Sequence, residues 1–316
     1  MIKKTISSIG IIALFMAFGT CNKETTNPTK PVVGTAQSFG TFQISLVSED
    51  AYTGVLGKMY DGPTPPNMIF EEVMTSGSCR LFKRLYPFCN PGCGGTAACV
   101  KDDSCQPYPT AVDIGTVTIS GLTTNDGKSS FSMDPLNKTY QFTSLTYPPC
   151  KEGDLVTLTA AGSASVSGFT LTVKGISPIT LLNDTIRMAD GQPITLRWTP
   201  PTISGISTIF VLIDISYHGG TKAKIECDCA DNGSLTIPAK LLDSLKSFGI
   251  SGFPKVEVSR RAITTDTNAK AKIVIESKVV RYLEIPGIIS CNGDGECPEG
   301  QYCAGDQRCR AQGTTE

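Results

Sequence analysis

Thirteen cysteines are the residues of this 316-residue sequence that are best suited to chemistry. Eight of them fall in two clusters, and in each cluster the last three cysteines are separated by five residues. Zinc sites usually present Cys-x2–4-Cys pairs, so this spacing predicts disulfides and no metal. The clusters offer few apolar residues for a core, and disulfides must replace it. The cluster members are Cys89, Cys93, Cys99, Cys105, Cys291, Cys297, Cys303 and Cys309.

The shared spacing indicates that the two clusters are copies of one module. Spacing alone allows three pairings within each module. The modules resemble small EGF-like fragments, and that resemblance implies bonds from first to third and from second to fourth cysteine. The bonds implied in this way are Cys89–Cys99, Cys93–Cys105, Cys291–Cys303 and Cys297–Cys309.

Four further cysteines lie outside the modules and the N-terminal region: Cys79, Cys150, Cys227 and Cys229. A bond between Cys227 and Cys229 would be severely strained, because a single residue separates them. We therefore expect one of these two to bond Cys150 and the other to bond Cys79. Such bridges would tie the first half of the chain to the second.

The second module also contains an acidic alternation that resembles the start of a calcium loop. Asn292, Asp294 and Glu296 stand at the spacing of the first EF-hand ligands. The glycine expected at the sixth position is Cys297, however, and the glutamate expected at the twelfth is Cys303. The sequence therefore predicts a polar turn here and no bound metal.

The only histidine, His218, is the main candidate for acid–base catalysis. Asp214 and Ser216 would lie on the same face of a strand as His218, but a nucleophile elbow is absent and a Gly-Gly turn follows. We expect an exposed turn histidine. The acid pairs Glu71-Glu72 and Asp102-Asp103 are adjacent in sequence and do not establish a pair of placed acids.

Motifs of other enzyme classes are absent. The sequence contains no His-Glu-x-x-His, no Walker loop and no dinucleotide glycine motif. It therefore predicts neither catalytic residues nor a cofactor. The net charge is −1 and basic residues are interspersed with acidic ones, so nothing indicates a nucleic-acid partner.

The N-terminus predicts export. Lys3 and Lys4 precede an apolar stretch, 9–19, that is short for a membrane span and typical of a signal peptide. The stretch before Cys21 resembles a bacterial lipobox, with Phe and Thr at two of its positions. If Cys21 is acylated, twelve cysteines remain, enough for six disulfides. The polar residues that follow predict a flexible tether.

Two outcomes of export stay open. Cleavage after Gly19 by an ordinary signal peptidase would leave a secreted protein with one unpaired thiol. Acylation of Cys21 would leave a lipoprotein, and Asn22 after the cysteine indicates the outer membrane by analogy with enteric sorting. We expect the lipoprotein, with the membrane as a partner through its lipid.

Strand-like runs separated by turns predict a mainly β protein with immunoglobulin- or fibronectin III-like sandwiches and small disulfide-rich modules. Trp198, the only tryptophan, is expected to face inward between two sheets. One helix is predicted over 237–248, with Pro238 in its first turn and Gly249 at its C-cap. The expected division is signal peptide 1–20, tether 21–39, β domain 40–180 with a cysteine-rich insertion at 79–105, β domain 181–287 and module 288–316.

Several of these features together resemble bacterial surface lipoproteins of the myxobacterial type. The residues that carry the resemblance are Cys21, the cluster 79–105 with the following 107–109, the segment 231–238, and the tail 291–309. The resemblance implies location and architecture but no active site. We expect a non-enzymatic, lipid-anchored surface protein that binds or spaces something through its sandwiches, and its ligand could be a protein, a glycan or a neighbouring cell. The alternatives are an envelope hydrolase acting on glycan or peptide, and a purely structural envelope protein.

Overall fold

The computed structural model describes residues 39–312. The expected signal peptide, Cys21 and nearly all of the expected tether lie outside this range. Within it, the prediction of a mainly β protein with small disulfide-rich segments is confirmed. None of the helices in this range is long and apolar enough to span a membrane.

The strands between residues 39 and 312 are short except for one pair near the end of the chain. Their bounds are β1 Gly40–Val47, β2 Tyr52–Met59, β3 Ile69–Ser76, β4 Cys79–Leu85, β5 Ala97–Lys101, β6 Ser104–Pro107, β7 Val117–Ser120, β8 Ser130–Met133, β9 Thr139–Phe142, β10 Leu155–Ala160, β11 Phe169–Lys174, β12 Ile186–Arg187, β13 Ile194–Arg197, β14 Thr208–Asp214, β15 Ala223–Ala230, β16 Ser234–Ile237, β17 Lys255–Asp266, β18 Ala271–Glu284, β19 Gln301–Cys303 and β20 Cys309–Ala311.

One ten-stranded sheet forms the frame of the molecule, in the order β3-β4-β15-β14-β17-β18-β1-β2-β9 with β12 also paired to β18. Strands β17 and β18 form a long antiparallel hairpin that runs through its middle. β1 pairs in parallel with the first part of β18, and β12 pairs in parallel with its end. The hairpin therefore links strands from both halves of the chain.

Two hydrophobic cores lie against the same face of this hairpin. The first core packs the sheet β11-β10-β7-β8 against β1, β2, β9 and the turn end of the hairpin, where Ala262 and Ile273 point inward. The second core packs β13, β16 and the helix against β4, β14, β15 and the open end, where Val258 and Val279 point inward. Each core thus takes strands from both expected β domains. The first core includes parts of β17 and β18 from the second expected domain, and the second core includes β4 from the first.

A polar seam separates the two cores. Arg260 lies between Val258 and Ala262 on the inward face of β17, and Ser277 lies opposite it on β18. Both side chains are buried, and Ser277 Oγ accepts a hydrogen bond from the backbone N–H of Ile179. The chain therefore passes from one core to the other at this seam, close to the expected domain boundary.

The single α-helix of the described range, α1, covers Ala239–Ser247 and confirms the predicted helix. Pro238 is its N-cap residue, with extended backbone angles, and Gly249 follows the C-cap at a φ of +106°. Such a positive φ favours glycine, which is why the helix ends there. Three buried leucines, Leu241, Leu242 and Leu245, hold α1 against the second core.

Five disulfides form among residues 39–312, so the expectation of six is wrong. The four module bonds follow the first-to-third and second-to-fourth order that the EGF-like resemblance implies. The fifth joins Cys79 on β4 to Cys227, its direct neighbour on β15. The expected bond from Cys150 to Cys227 or Cys229 is wrong, because Cys150 packs beside the first core while both others lie in the second.

The two modules share their local geometry, which supports an internal repeat. In each, the last two cysteines face each other across a short hairpin, β5–β6 in one and β19–β20 in the other. The residue two positions before the last cysteine has a positive φ in both, 54° at Asp103 and 58° at Gln307. Both hairpins therefore reverse with a left-handed residue at the same place relative to the last cysteine.

Candidate binding surface

Four aromatic side chains meet at the open end of the β17–β18 hairpin. They are Tyr217, His218, Phe253 and Tyr282, and we call them the aromatic strip. The ring centroids of successive members lie 5.1, 5.8 and 5.9 Å apart. Tyr217 is 53% exposed and Tyr282 is 67% exposed. Soluble proteins seldom expose contiguous rings without a use for them, so the strip is a candidate binding surface.

The first two rings are held outward by a hydrogen-bonded turn. Asp214, at the end of β14, accepts bonds from the N–H of Ser216 and from the hydroxyl of Thr221. Ser216 Oγ in turn accepts a bond from the N–H of Lys222 at 2.8 Å. These polar groups are satisfied within the turn, so Tyr217 and His218 project from a fixed frame on a 3-10 turn.

The other two rings come from distant parts of the chain. Phe253 adopts a φ of +51°, which an L residue rarely takes, and its N–H donates to Ser290 Oγ at 2.7 Å. Tyr282 lies on β18 opposite Lys255, which itself lies opposite Asp214. Sheet register and one backbone hydrogen bond therefore assemble the strip.

A lysine and a glutamate flank the strip. Lys255 Nζ lies 4.5 Å from the centroid of the Tyr217 ring and 2.8 Å from Glu257 Oε1. Burial opposes the charge on Lys255, but the hydrogen bond with Glu257 outweighs it and raises the pKa of Lys255. Burial likewise opposes the charge on Glu257, yet Lys255 and Lys278 hold the pKa of Glu257 below its usual value. Both groups therefore stay charged at neutral pH.

The structure does not assemble a triad from Asp214, Ser216 and His218. The strand ends at Asp214, so the three residues do not line one strand face as the spacing suggested. Asp214 and Ser216 are used within the turn, while His218 contacts the rings of Tyr217 and Phe253. The prediction of an exposed turn histidine is confirmed.

The paired acids do not converge either. Glu71 and Glu72 lie on β3, at the edge of the large sheet, and both are exposed. Asp102 and Asp103 accept hydrogen bonds from the N–H groups of Phe88 and Asn90 within the first module. The first pair is therefore exposed on an edge strand, and the second pair stabilises the first module by hydrogen bonds.

Three surface pockets formed by the described residues each contain a single carboxylate in their lining. These are Asp154, Asp306 and Glu284. Glycoside hydrolysis of the usual kind needs two placed acids, and none of these pockets provides them.

The largest of these pockets, about 540 Å³, is lined in part by the free thiol of Cys150. Burial, together with the charge of Asp154, raises the pKa of Cys150 to about 11. A nucleophilic cysteine needs a lowered pKa. Cys150 is therefore a poor nucleophile at neutral pH.

The alternating acids of the second module stabilise its turn. Asp294 Oδ1 accepts a bond from the N–H of Cys303 at 2.7 Å, and Glu296 Oε2 accepts one from the N–H of Asn292 at 2.9 Å. The sulfurs of Cys291, Cys297 and Cys303 lie within 4.8 Å of one another, as do those of Cys89, Cys93 and Cys99. The two disulfides of each module account for this proximity.

Sequence reasoning singled out His218 in the strip but missed the other three rings. The signal for Tyr282 was present, because the alternation along most of β18 places it on the outward face. Phe253 gave no such signal, since its position depends on the chain reversal before β17. Sequence reasoning also missed Arg260, although two adjacent arginines in one strand require one of them to point inward.

No family model and no curated protein matches this sequence. Solved structures show weak likenesses. The chicken CNTN1 FN1-FN3 domains share 6% identity over 73% of this chain and 78% of theirs, with a TM-score of 0.21. The fibronectin(III)-like modules of Clostridium thermocellum CbhA share 11% sequence identity over 72% of this chain and 94% of theirs, with a TM-score of 0.18. Trypsin-activated alpha-2-macroglobulin from Escherichia coli shares 7% sequence identity over 74% of this chain and 21% of its own, with a TM-score of 0.19. Likenesses at this level say nothing about how this chain acts.

Proposed function

We propose that this chain is a lipid-anchored protein of the bacterial cell envelope that binds a ligand, without catalysis, through the aromatic strip. The observation that carries the proposal is the strip itself, in which three exposed rings and the half-buried ring of Phe253 lie in one row on a fixed frame. The anchor rests on the signal-like N-terminus and on the lipobox-like stretch before Cys21.

The geometry of the long hairpin supports display of the strip away from the anchor. The described chain enters at Gly40 on β1, which pairs with Ala271 beside the β17–β18 turn. Tyr282 lies near the opposite end of β18, roughly 35 Å away at about 3.3 Å of rise per residue. A tether that enters at the turn end would therefore leave the strip facing away from the membrane.

The hydrolase alternative has less support. Each of the three surface pockets holds one carboxylate, and His218 contacts rings instead of an acid and a hydroxyl. A binding role needs neither a second acid nor an activated nucleophile. We therefore favour binding.

Two measurements test the proposal. Mass spectrometry of the mature protein should find an acylated Cys21 at the new N-terminus, and finding Thr20 there would refute the anchor. In the second measurement, the exported protein with Cys21→Ser, which has no lipid, is mixed with envelope material from cells that lack the protein. The envelope material should bind and retain it. Retention should fall when Tyr217→Ala and Tyr282→Ala are combined.

The matched control for the second measurement is Tyr86→Ala. Tyr86 is 71% exposed but lies outside the strip, beneath the guanidinium of Arg84. Equal retention of the strip double variant and the Tyr86→Ala control would refute a binding role for the strip.

A further inference from the structure

Resting on the proposed function, we infer that the ligand of the aromatic strip is a neutral glycan, bound as a short stretch of pyranose rings. A pyranose presents an apolar face of C–H groups and an edge of hydroxyls. A surface that receives it needs exposed rings and free hydrogen-bonding groups side by side. The strip offers both.

The polar atoms of the strip are available to a ligand. The hydroxyls of Tyr217 and Tyr282 and the ring nitrogens of His218 make no hydrogen bond to any residue within 39–312. Each hydroxyl can donate and accept, and a neutral imidazole has one donor and one acceptor. A purely apolar partner would bury these groups without hydrogen-bond partners and would bind more weakly for that reason. A polyhydroxylated ligand would satisfy them.

The size of the strip favours a small ligand over a folded protein partner. Aromatic side chains bury about 150–250 Å² each when fully covered. With two rings about half to two-thirds exposed, the strip offers on the order of 300 Å². A stable protein interface needs about 800 Å² on each side. Successive ring centroids lie 5.1 to 5.9 Å apart, so the row of four rings is only as long as a few sugar rings.

The charges beside the strip favour a neutral ligand over an anionic one. Lys255 lies 2.8 Å from Glu257, and Lys278 lies 3.5 Å from the same carboxylate. Arg281, next to Tyr282, lies 3.9 Å from Glu49. Asp214 is buried and already accepts two hydrogen bonds. Because Lys255, Lys278 and Arg281 have acidic partners, the part of the strip around Tyr282 lacks the block of one charge that would select an oppositely charged polymer. Arg84, beside the turn, donates a hydrogen bond to the Gly220 oxygen.

The strip is also rigid, which matters for a weak, shallow site. Tyr217 and His218 stand on the turn fixed by Asp214, and Phe253 is held by Ser290. Rings that are already in place lose little conformational entropy when a ligand arrives. A short glycan could therefore bind detectably despite a small contact area.

Affinity gel electrophoresis tests the inference. The exported chain carrying Cys21→Ser would be run through gels that contain a soluble β-glucan, a xylan, a mannan or an α-glucan, with polygalacturonate as an anionic comparison. At least one neutral glycan should slow the protein more than polygalacturonate does. Tyr217→Ala and Tyr282→Ala should each raise the dissociation constant about tenfold or more, and Tyr86→Ala should not. Tyr282→Phe keeps the ring and should retain part of the affinity.

The outcomes separate this inference from the function on which it rests. Retardation by none of the neutral glycans, retardation by polygalacturonate alone, or equal retardation of parent and strip variants would overturn the glycan assignment. If the strip variants still lose retention on envelope material, the binding function stands and its ligand is of another class. If they keep that retention, the binding function itself falls.

Discussion

Arg260 and Asp231 form a two-point ion pair inside the protein, with Nε 2.6 Å from Oδ2 and Nη2 3.2 Å from Oδ1. Their side chains are 2% and 1% exposed. Trp198 Nε1 and Ser207 Oγ also donate to the Asp231 carboxylate, each at 2.7 Å. The remaining guanidinium protons reach the backbone oxygens of three residues, Ser177, Pro178 and Thr199, and the hydroxyl of Ser177.

This network fills the seam between the two cores. Every donor and acceptor in it is used, which is the condition under which a buried ion pair is tolerated. It clamps the segment at Ser177 and Pro178, where the chain crosses from one core to the other, onto β17. The guanidinium of Arg260 therefore adds a buried polar link between the two cores, which the β17–β18 hairpin already joins.

Asp231→Asn should destabilise the protein by about 3–5 kcal/mol, because it leaves the charge of Arg260 buried without its partner. Urea unfolding followed by the fluorescence of Trp198, the only tryptophan, would measure this directly. The matched control is Asp228→Asn, which removes an exposed partner of Arg80 and should change stability by less than about 1 kcal/mol. Similar losses for the two variants would contradict the clamp.

Removing the Cys79–Cys227 bond should destabilise the whole fold. The bond closes a loop with a sequence separation of 148 residues, and chain entropy predicts about 5 kcal/mol for a loop of that length. The bond Cys291–Cys303, with a separation of 12, should contribute about 3 kcal/mol. Denaturation midpoints of the two double alanine variants would compare them. If removing Cys291–Cys303 lowered the stability of the whole protein more than removing Cys79–Cys227, the expected order of the two contributions would be wrong.

Cys150 should react slowly with alkylating agents in the native protein. Because its pKa is raised to about 11, the thiolate is scarce at pH 8, and labelling by iodoacetamide should be about 100-fold slower than in the unfolded chain. The native rate should rise as the pH approaches that pKa. Peptide mass spectrometry after timed labelling would follow it, with Cys150→Ser as the control. Fast native labelling, or Cys150 in a disulfide, would contradict the structure.

Gly252→Ala should detach the second module from the sheet. A Cβ at this position would lie 1.7 Å from the backbone oxygen of Gln307, and the N–H of Gly252 donates to the Asp306 oxygen at 2.8 Å. Limited trypsin digestion should then cut within the module, after Arg308 or Arg310, and the cuts would be read on a reducing gel. Gly293→Ala, which adds a methyl group where no atom lies within 4 Å, is the control. Equal protease resistance of both variants would show that the contact is dispensable.

The sequence by itself determined the features that depend on neighbouring residues. Alternating runs and turn residues predicted a mainly β chain, and Pro238 and Gly249 marked the ends of α1 because backbone angles there are a local matter. The repeat of the modules was visible because their spacing is local, and both hairpins have a residue of positive φ at the matching place, Asp103 and Gln307. The lipobox-like stretch at Cys21 is also defined by neighbouring residues alone. The lipid anchor that it predicts stays a prediction.

Only the tertiary structure decided which distant residues meet. Cys227 bonds Cys79 because the register of β15 against β4 places them side by side, while Cys150 packs against the other core. Arg260 meets Asp231, and Tyr217 meets Tyr282 through two intervening rings, by way of a hairpin that crosses both cores. Local propensity carries no information about these encounters, because strand pairing over long sequence separations sets them.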